Sequence, residues 1–232
     1  MKLTVVGCSP AWPNPGSAHS GYLLEHDGRR LLLDCGPGVL ARLRAAEGWP
    51  RIDAIAITHF HLDHYGDLVP WLWGHLHVVA NGDAPTLWLP PDGRATLERQ
   101  ASQFGDVFPI HEYADGVTSD IEGFSVTPRA VRHYTEPTFG LRVEAAGRSL
   151  AYSADTGPTP ALLELAREVD LFLCEGTLGA PEGDLRGHLQ ASEAAATAMT
   201  AEAKRLILVH RGIELPTPAG LEVAQDGLEL DL

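Results

Sequence analysis

Basic residues are scarce in this chain: 17 Lys and Arg face 31 Asp and Glu, a formal net charge of −14. Duplex DNA and folded RNA are held mainly by neutralising phosphates with Lys and Arg, so the shortage disfavours an extended nucleic-acid footprint. Cysteine is sparse as well. Cys8, Cys35 and Cys174 show no CxxC spacing and each lies in or beside an apolar stretch, which predicts three small buried hydrophobes rather than disulfides or a thiolate metal site. A reducing, cytoplasmic setting fits that usage. Nowhere do about 18 uncharged apolar residues run together, so no membrane span is expected, and "MKLTVVGCSPAWPNPG" lacks the basic head and apolar core of an export signal. No repeat, low-complexity tract or long linker divides the sequence. At 232 residues, 44% of them hydrophobic, residues 1–232 are expected to form a single domain around one substantial core.

What is present is an alternation of short apolar runs with Gly, Pro and Asp turns. "LTVVGC", "GYLLEH" and "RRLLLDCG" read as strands, followed by the helix-like "VLARLRAAEGW" and a buried strand "IDAIAIT". An apolar, aromatic "LVPWLWGHLHVV", the strand "PTLWLP" and the helix-like "RATLERQASQF" come next. The middle turns strand-rich again in "FSVTPRAVRH", "TFGLRVEAAG" and "RSLAYSADTG", with "AAGR" as a hairpin turn. The last third repeats helix then strand: "TPALLELAREV" before "DLFLCEG", and "QASEAAATAMTAEA" before "RLILVH". Two strand-rich blocks, each followed by helices, predict an α/β fold of four layers, with helices outside and two sheets inside.

The chemistry concentrates in "AIAITHFHLDHYGDL", residues 54–68, where His59, His61, Asp63 and His64 fall within six residues directly after an apolar run. A loop leaving a strand end is where folds tend to carry function. Alternation along an extended segment puts His59, His61 and Asp63 on one side, with a turn bringing His64 to an adjacent site. Imidazole and carboxylate suit zinc, iron or manganese, and four such ligands exceed what one tetrahedral ion needs if it keeps an open catalytic position. Two divalent metal ions are therefore expected, zinc first, with manganese or iron as alternatives. They also make one pocket locally positive on an acidic body, so small anionic substrates stay open. Further candidates end apolar runs downstream: His133 after "VTPRAV", Asp155 in "LAYSADTG" and His210 closing "LILVH".

With "LLLDCGPG" around Asp34, these segments resemble the metallo-β-lactamase fold superfamily over nearly the whole chain. The resemblance implies an αββα sandwich with His59, His61 and His133 on one metal, Asp63, His64 and His210 on the other, and the Asp155 carboxylate bridging. It also implies that Asp34 orients a ligand histidine. Two ions about 3.5–4 Å apart share a water, lower its pKa from about 15.7 toward ~7, and hold both oxygens of an in-line displacement. That predicts hydrolysis by a metal-bound hydroxide, which Asp63 orients or deprotonates through its second oxygen.

The superfamily also holds thiolesterases, lactonases, β-lactamases and oxygen-reducing enzymes, so fold alone does not choose a reaction. The discriminating stretch is "GHLQASEAAATA", residues 187–198, where His188 precedes an Ala-rich helix whose positive end suits phosphate. It resembles the His-x-Ser/Thr and Ala-rich helix of the ribonuclease Z-like phosphodiesterase branch, which implies that His188 protonates the leaving group. Glu175 in "LCEGT" resembles that branch's Glu-Ala/Gly-Thr segment and is expected to orient the His188 ring. The expected activity is hydrolysis of a small or cyclic nucleotide-like phosphodiester. The alternatives are a thioester or lactone hydrolase, a tRNA 3′-end endonuclease, and a non-catalytic protein that keeps its metals for folding.

Two departures from ribonuclease Z count against tRNA. Only 21 residues separate His133 from Asp155, one hairpin where tRNA-processing members carry a long arm, and "LVHRGIEL" lacks their Ser-rich tail. The resemblance is therefore to the short, arm-less members, which also implies a homodimer. His75 and His77 are read as structural or pocket-wall residues rather than ligands, Trp71 and Trp73 as core with base stacking as the alternative, and His19 in "PGSAHSGY" as a loop histidine within reach of the pocket but neither ligand nor catalyst.

Overall fold

The computed structural model describes residues 1–79, 84–180, 183 and 186–232. The chain runs β1 (Lys2–Gly7), β2 (Gly21–His26), β3 (Arg29–Leu33), α1 (Val39–Glu47), β4 (Ala54–Ala56), α2 (Leu62–Tyr65), α3 (Leu68–His77), β5 (Thr86–Leu89), α4 (Gly93–Gln100), α5 (Phe104–Val107), β6 (Ile110–Glu112) and β7 (Ser119–Ile121). It continues with β8 (Phe124–His133), β9 (Glu136–Ala145), β10 (Arg148–Tyr152), α6 (Ala161–Ala166), β11 (Leu171–Glu175), α7 (Ala191–Thr200), β12 (Leu206–Val209), β13 (Glu222–Val223) and β14 (Glu229–Asp231). Among the described residues no helix is long and apolar enough to cross a membrane.

Two seven-stranded sheets form, in the orders β14-β1-β2-β3-β4-β5-β6 and β13-β12-β11-β10-β9-β8-β7. Both follow one plan. Antiparallel β1, β2 and β3 give way to parallel β4, β5 and β6, and antiparallel β7 to β10 give way to parallel β11, β12 and β13. Parallel neighbours need crossovers, and helices supply every one except that between β12 and β13, covering each outer face. The β9–β10 reversal is tight because Ala146 and Gly147 both take positive φ, 52° and 70°, the geometry of a two-residue hairpin turn.

Period-two alternation explains the continuous apolar runs. Leu31 and Leu33 of β3 point inward to meet Leu141, Tyr152 and Leu173 of the other sheet in one core. Leu32 points the other way, into a second core with Val39, Leu43, Trp71 and Leu97 from the helices. A third core joins Phe172 and Leu208 to Leu162, Leu165, Ala194 and Ala198 beneath α6 and α7. Strands buried on both faces leave no polar positions, and three cores between four layers make the αββα sandwich.

Several local readings change. The helix-like residues 94–104 are two helices, α4 and α5, and the aromatic stretch after the His cluster is α3. Pro70 is tolerated there because first-turn N–H groups have no helical partner. The strands β6, β7, β13 and β14 are only two or three residues long, too short to show a period.

Gly36 couples the fold to the His cluster. A Cβ there would stand 2.0 Å from the Asp63 carbonyl oxygen and 2.6 Å from the His19 Cβ, so only glycine lets the loop after β3 close on α2. Gly36→Ala is expected to cost about 1–3 kcal/mol through overpacking and to lower the thermal midpoint by roughly 2–12 °C. An unchanged midpoint in a thermal unfolding scan contradicts this close approach.

Candidate metal and acid–base site

Five of the predicted site residues lie at the carboxyl end of a strand. His59 follows β4, His133 closes β8, Asp155 follows β10, Glu175 closes β11 and His210 follows β12. The chain turns sharply at these ends: Asp34, Tyr134, Ala154 and His210 take φ of 59°, 47°, 54° and 53°, a left-handed conformation costly for residues with a Cβ and concentrated at functional sites.

Three groups of ligand-type atoms result. His59, His61, His133 and Asp155 form one, Asp63, His64, Asp155 and His210 a second, and Asp155, Glu175 and His188 a third, the atoms of each lying within 4.8 Å of one another. The extended-strand reading of the cluster is corrected here. His61 precedes the four-residue helix α2, and its turn carries Asp63 and His64 together to the second group, away from His59 and His61. Asp155 sits between the groups: Oδ2 lies 3.9 Å from His59 Nε2, 3.8 Å from His133 Nε2 and 3.4 Å from His210 Nε2, while Oδ1 lies 3.4 Å from His64 Nε2. Asp63 Oδ2 stands 3.0 Å from His210 Nε2 and 3.4 Å from His64 Nε2.

Four rings are held by their other nitrogen. His64 Nδ1–H donates to Asp34 Oδ2 at 2.7 Å. His59 Nδ1–H donates to Thr58 Oγ1 at 3.1 Å, whose hydroxyl donates on to Asp34. His133 Nδ1–H donates to the Gly187 carbonyl at 2.8 Å. His210 Nδ1–H donates to Thr177 Oγ1 at 3.0 Å, and that hydroxyl donates to the His210 carbonyl. Fixing Nδ1–H as a donor sets the tautomer and leaves the Nε2 lone pair facing inward.

That lone-pair-rich centre tests whether cations fit. His59 Nε2, His64 Nε2 and Asp155 Oδ1 are buried with no hydrogen-bond partner, a state that natural proteins rarely leave unexplained. Burial pushes His59 and His133 below the usual histidine range. Burial works against ionising Asp63 and Asp155, but His210 and His64 outweigh it and hold both carboxylates well below their usual range. Burial likewise opposes charge on His64, and Asp155 with Asp34 overrides it upward. A field that favours positive charge at buried nitrogens also favours a cation, and the nitrogen and oxygen donors suit a divalent one.

His188 stands at the edge. Its Nδ1–H donates to Glu175 Oε1 at 2.9 Å and lies 4.0 Å from Asp155 Oδ2. Glu175 is fully buried and accepts from the Thr156, Thr177 and Leu189 N–H groups at 2.7, 3.3 and 3.2 Å. Burial disfavours a charged His188, but the Glu175 hydrogen bond and charge, with Asp155, outweigh it and raise the ring to about 9.

Other sequence candidates fall outside. Trp71 is fully buried in the helix-covered core and its indole N–H donates to His75 at 3.2 Å, while half-exposed Trp73 stacks on His77. Trp71 and His75 are structural as expected. His19 is held by the Pro10 carbonyl at 2.9 Å. All three cysteines are free and buried. Sequence reasoning missed Thr58, Tyr152 and Tyr134, common residues whose only signal was adjacency to a ligand or a strand end.

Residues 29–211 match the family described as the beta-lactamase superfamily domain. An uncharacterized protein of Mycobacterium tuberculosis, Rv1339, is 36% identical over 221 residues, covering 90% of this chain and 80% of that protein. A ribonuclease Z of Mycobacterium marinum is 30% identical over 241 residues, covering 90% and 86%. The crystal structure of YhfI from Bacillus subtilis, a metallo-beta-lactamase fold protein, superposes with a TM-score of 0.85 at 22% identity over 99% of both chains. By the extent of these matches and the shared fold, the chain belongs to the beta-lactamase superfamily, among the metal-dependent hydrolases related to ribonuclease Z.

Proposed function

We propose that this hydrolase cleaves phosphodiester bonds of small, cyclic nucleotide-like substrates. The observation that carries the reading is the His188–Glu175 pair: a ring held at Nδ1 by a buried carboxylate, beside the ligand cluster, with Nε2–H left to give a proton. Displacing an alkoxide from phosphorus needs such a donor, because the leaving oxygen takes up charge as the bond breaks. A thiolate leaves without such help, so thioester cleavage places no such demand on this position.

In this reading His59, His61 and His133 would hold one divalent ion and Asp63, His64 and His210 the other, with Asp155, which belongs to both groups, shared between them. Zinc is the first choice, and manganese and iron accept the same donors. When bound, the pair supplies an acidified water and a positive clamp for the phosphoryl oxygens. The chain's own groups do the rest. Asp63 engages His64 and His210 through Oδ2, which leaves Oδ1 to orient the attacking water and accept its proton. His188 protonates the leaving oxygen, and Glu175 stabilises the charged ring before transfer. The net charge of −14 and the short β9–β10 hairpin support a small substrate over tRNA. Three buried free thiols suit a cytoplasmic setting.

Metal-reconstituted protein is expected to cleave bis(p-nitrophenyl) phosphate, with no thioester or lactone cleavage and none of any kind after chelation. Thioester or lactone turnover with an untouched diester contradicts the reading. His188→Ala should lower turnover of diesters with alkoxide leaving groups about 10²- to 10⁴-fold while sparing p-nitrophenolate release, which needs no acid. Equal losses on both remove the acid role. Asp34→Ala should weaken metal binding roughly 10- to 100-fold in competition with a chromophoric chelator, because His64 and Thr58 lose their anchor. Unchanged affinity contradicts that positioning.

A further inference from the structure

A cavity of about 570 Å³ opens beside His188, within the size range of small-molecule sites. Its wall includes Trp12, Tyr134, Leu178, Glu214 and Leu215. Trp12 and Tyr134 are 48% and 54% exposed, although burying a large aromatic ring is normally favourable. Neither belongs to a hydrophobic core. The Trp12 indole N–H donates to Glu214 Oε2 at 3.4 Å. Tyr134 lies 5.8 Å from the His188 ring, centroid to centroid. Its ring also packs on Gly187, where a Cβ would stand 2.4 Å from Tyr134 Cε2. Gly187 thus seats Tyr134, holds His133 through its carbonyl and delivers His188 in the next position.

We infer that Trp12, Tyr134 and Glu214 form the specificity wall for the leaving-group side of the substrate, taking a planar nucleobase that bears N–H donors. This rests on the phosphodiesterase reading, because it is the position of His188 that makes this the leaving-group side. Exposed aromatic faces on one cavity offer stacking to any base. The Glu214 carboxylate accepts hydrogen bonds from a base amino group, and its negative charge disfavours a second phosphate. The apolar Leu178 and Leu215 complete a surface suited to a flat ring.

Binding of adenosine monophosphate and of ribose 5-phosphate to the metal-loaded protein, measured by isothermal titration calorimetry, tests the inference separately from turnover. The wild type is expected to prefer the nucleotide. Trp12→Ala should weaken nucleotide binding roughly 5- to 150-fold and leave ribose 5-phosphate unchanged, as loss of base stacking predicts. Tyr134→Leu, which keeps bulk but removes the aromatic face, should narrow the same preference, and Glu214→Gln should narrow it by less. Both aromatic side chains are half exposed, so thermal midpoints should stay near the wild type. Equal affinities in the wild type, or a preference unchanged in both aromatic variants, overturn the inference. Cleavage of bis(p-nitrophenyl) phosphate by the wild type is read in parallel. Base preference without diester cleavage overturns the leaving-group assignment and the phosphodiesterase reading together, whereas diester cleavage without base preference removes only the specificity wall.

Discussion

The buried carboxylate of Asp34 ties the two sheets to the site. It is fully buried where the sheets meet and accepts four kinds of donor: the Thr58 N–H at 2.8 Å, the Thr58 hydroxyl, the Tyr152 hydroxyl at 2.9 Å and His64 Nδ1–H at 2.7 Å. Thr58 leaves β4 in the first sheet and Tyr152 closes β10 in the second, so a single anion spans the sandwich. An ion buried without partners is prohibitively expensive. Satisfying Asp34 therefore dictates where β4 and β10 end relative to β3, and those two ends carry His59 and Asp155.

The same economy extends outward. Thr58 relays Asp34 to His59, Thr177 holds His210, and the Gly187 carbonyl holds His133. Each contact spends a polar group the backbone already had near the strand end to fix one ring nitrogen and free the other. The outcome is a centre in which His59 Nε2, His64 Nε2 and Asp155 Oδ1 are buried without a partner, an arrangement that favours positive charge among them. Glu175 repeats the device one strand further along: three backbone N–H groups anchor it, and it turns His188 toward the cluster edge. Strand ends set the ligand-type residues, while Trp12 and Tyr134 line the cavity beside His188.

Much of this was legible in the sequence because the signals are local. "RRLLL" and "LFLCE" read as buried strands since both faces are covered, and a His-x-His-x-Asp-His cluster after such a strand has few meanings other than metal. The pairing of Glu175 with His188 was anticipated from motif resemblance and is met at 2.9 Å. The partition of the cluster was misjudged from periodicity alone, because α2 replaces the extended segment and rotates Asp63 away from His61. Short edge strands escaped notice because two or three residues display no period. Trp12 and Tyr134 were missed for a different reason: they lie more than 100 residues apart in the sequence, and only the fold brings them to one cavity wall. Trp71, read as structural with base stacking as the alternative, is core.

The central claim is that seven side chains with one shared carboxylate hold two ions side by side. The direct measurement is metal stoichiometry: chelator-stripped protein titrated with zinc, passed through gel filtration and analysed for metal per chain. Two ions per chain, falling to one in His210→Ala with the fold intact by circular dichroism, is the predicted result. A single ion in the unmodified protein, or two that survive the loss of His210, contradicts the account.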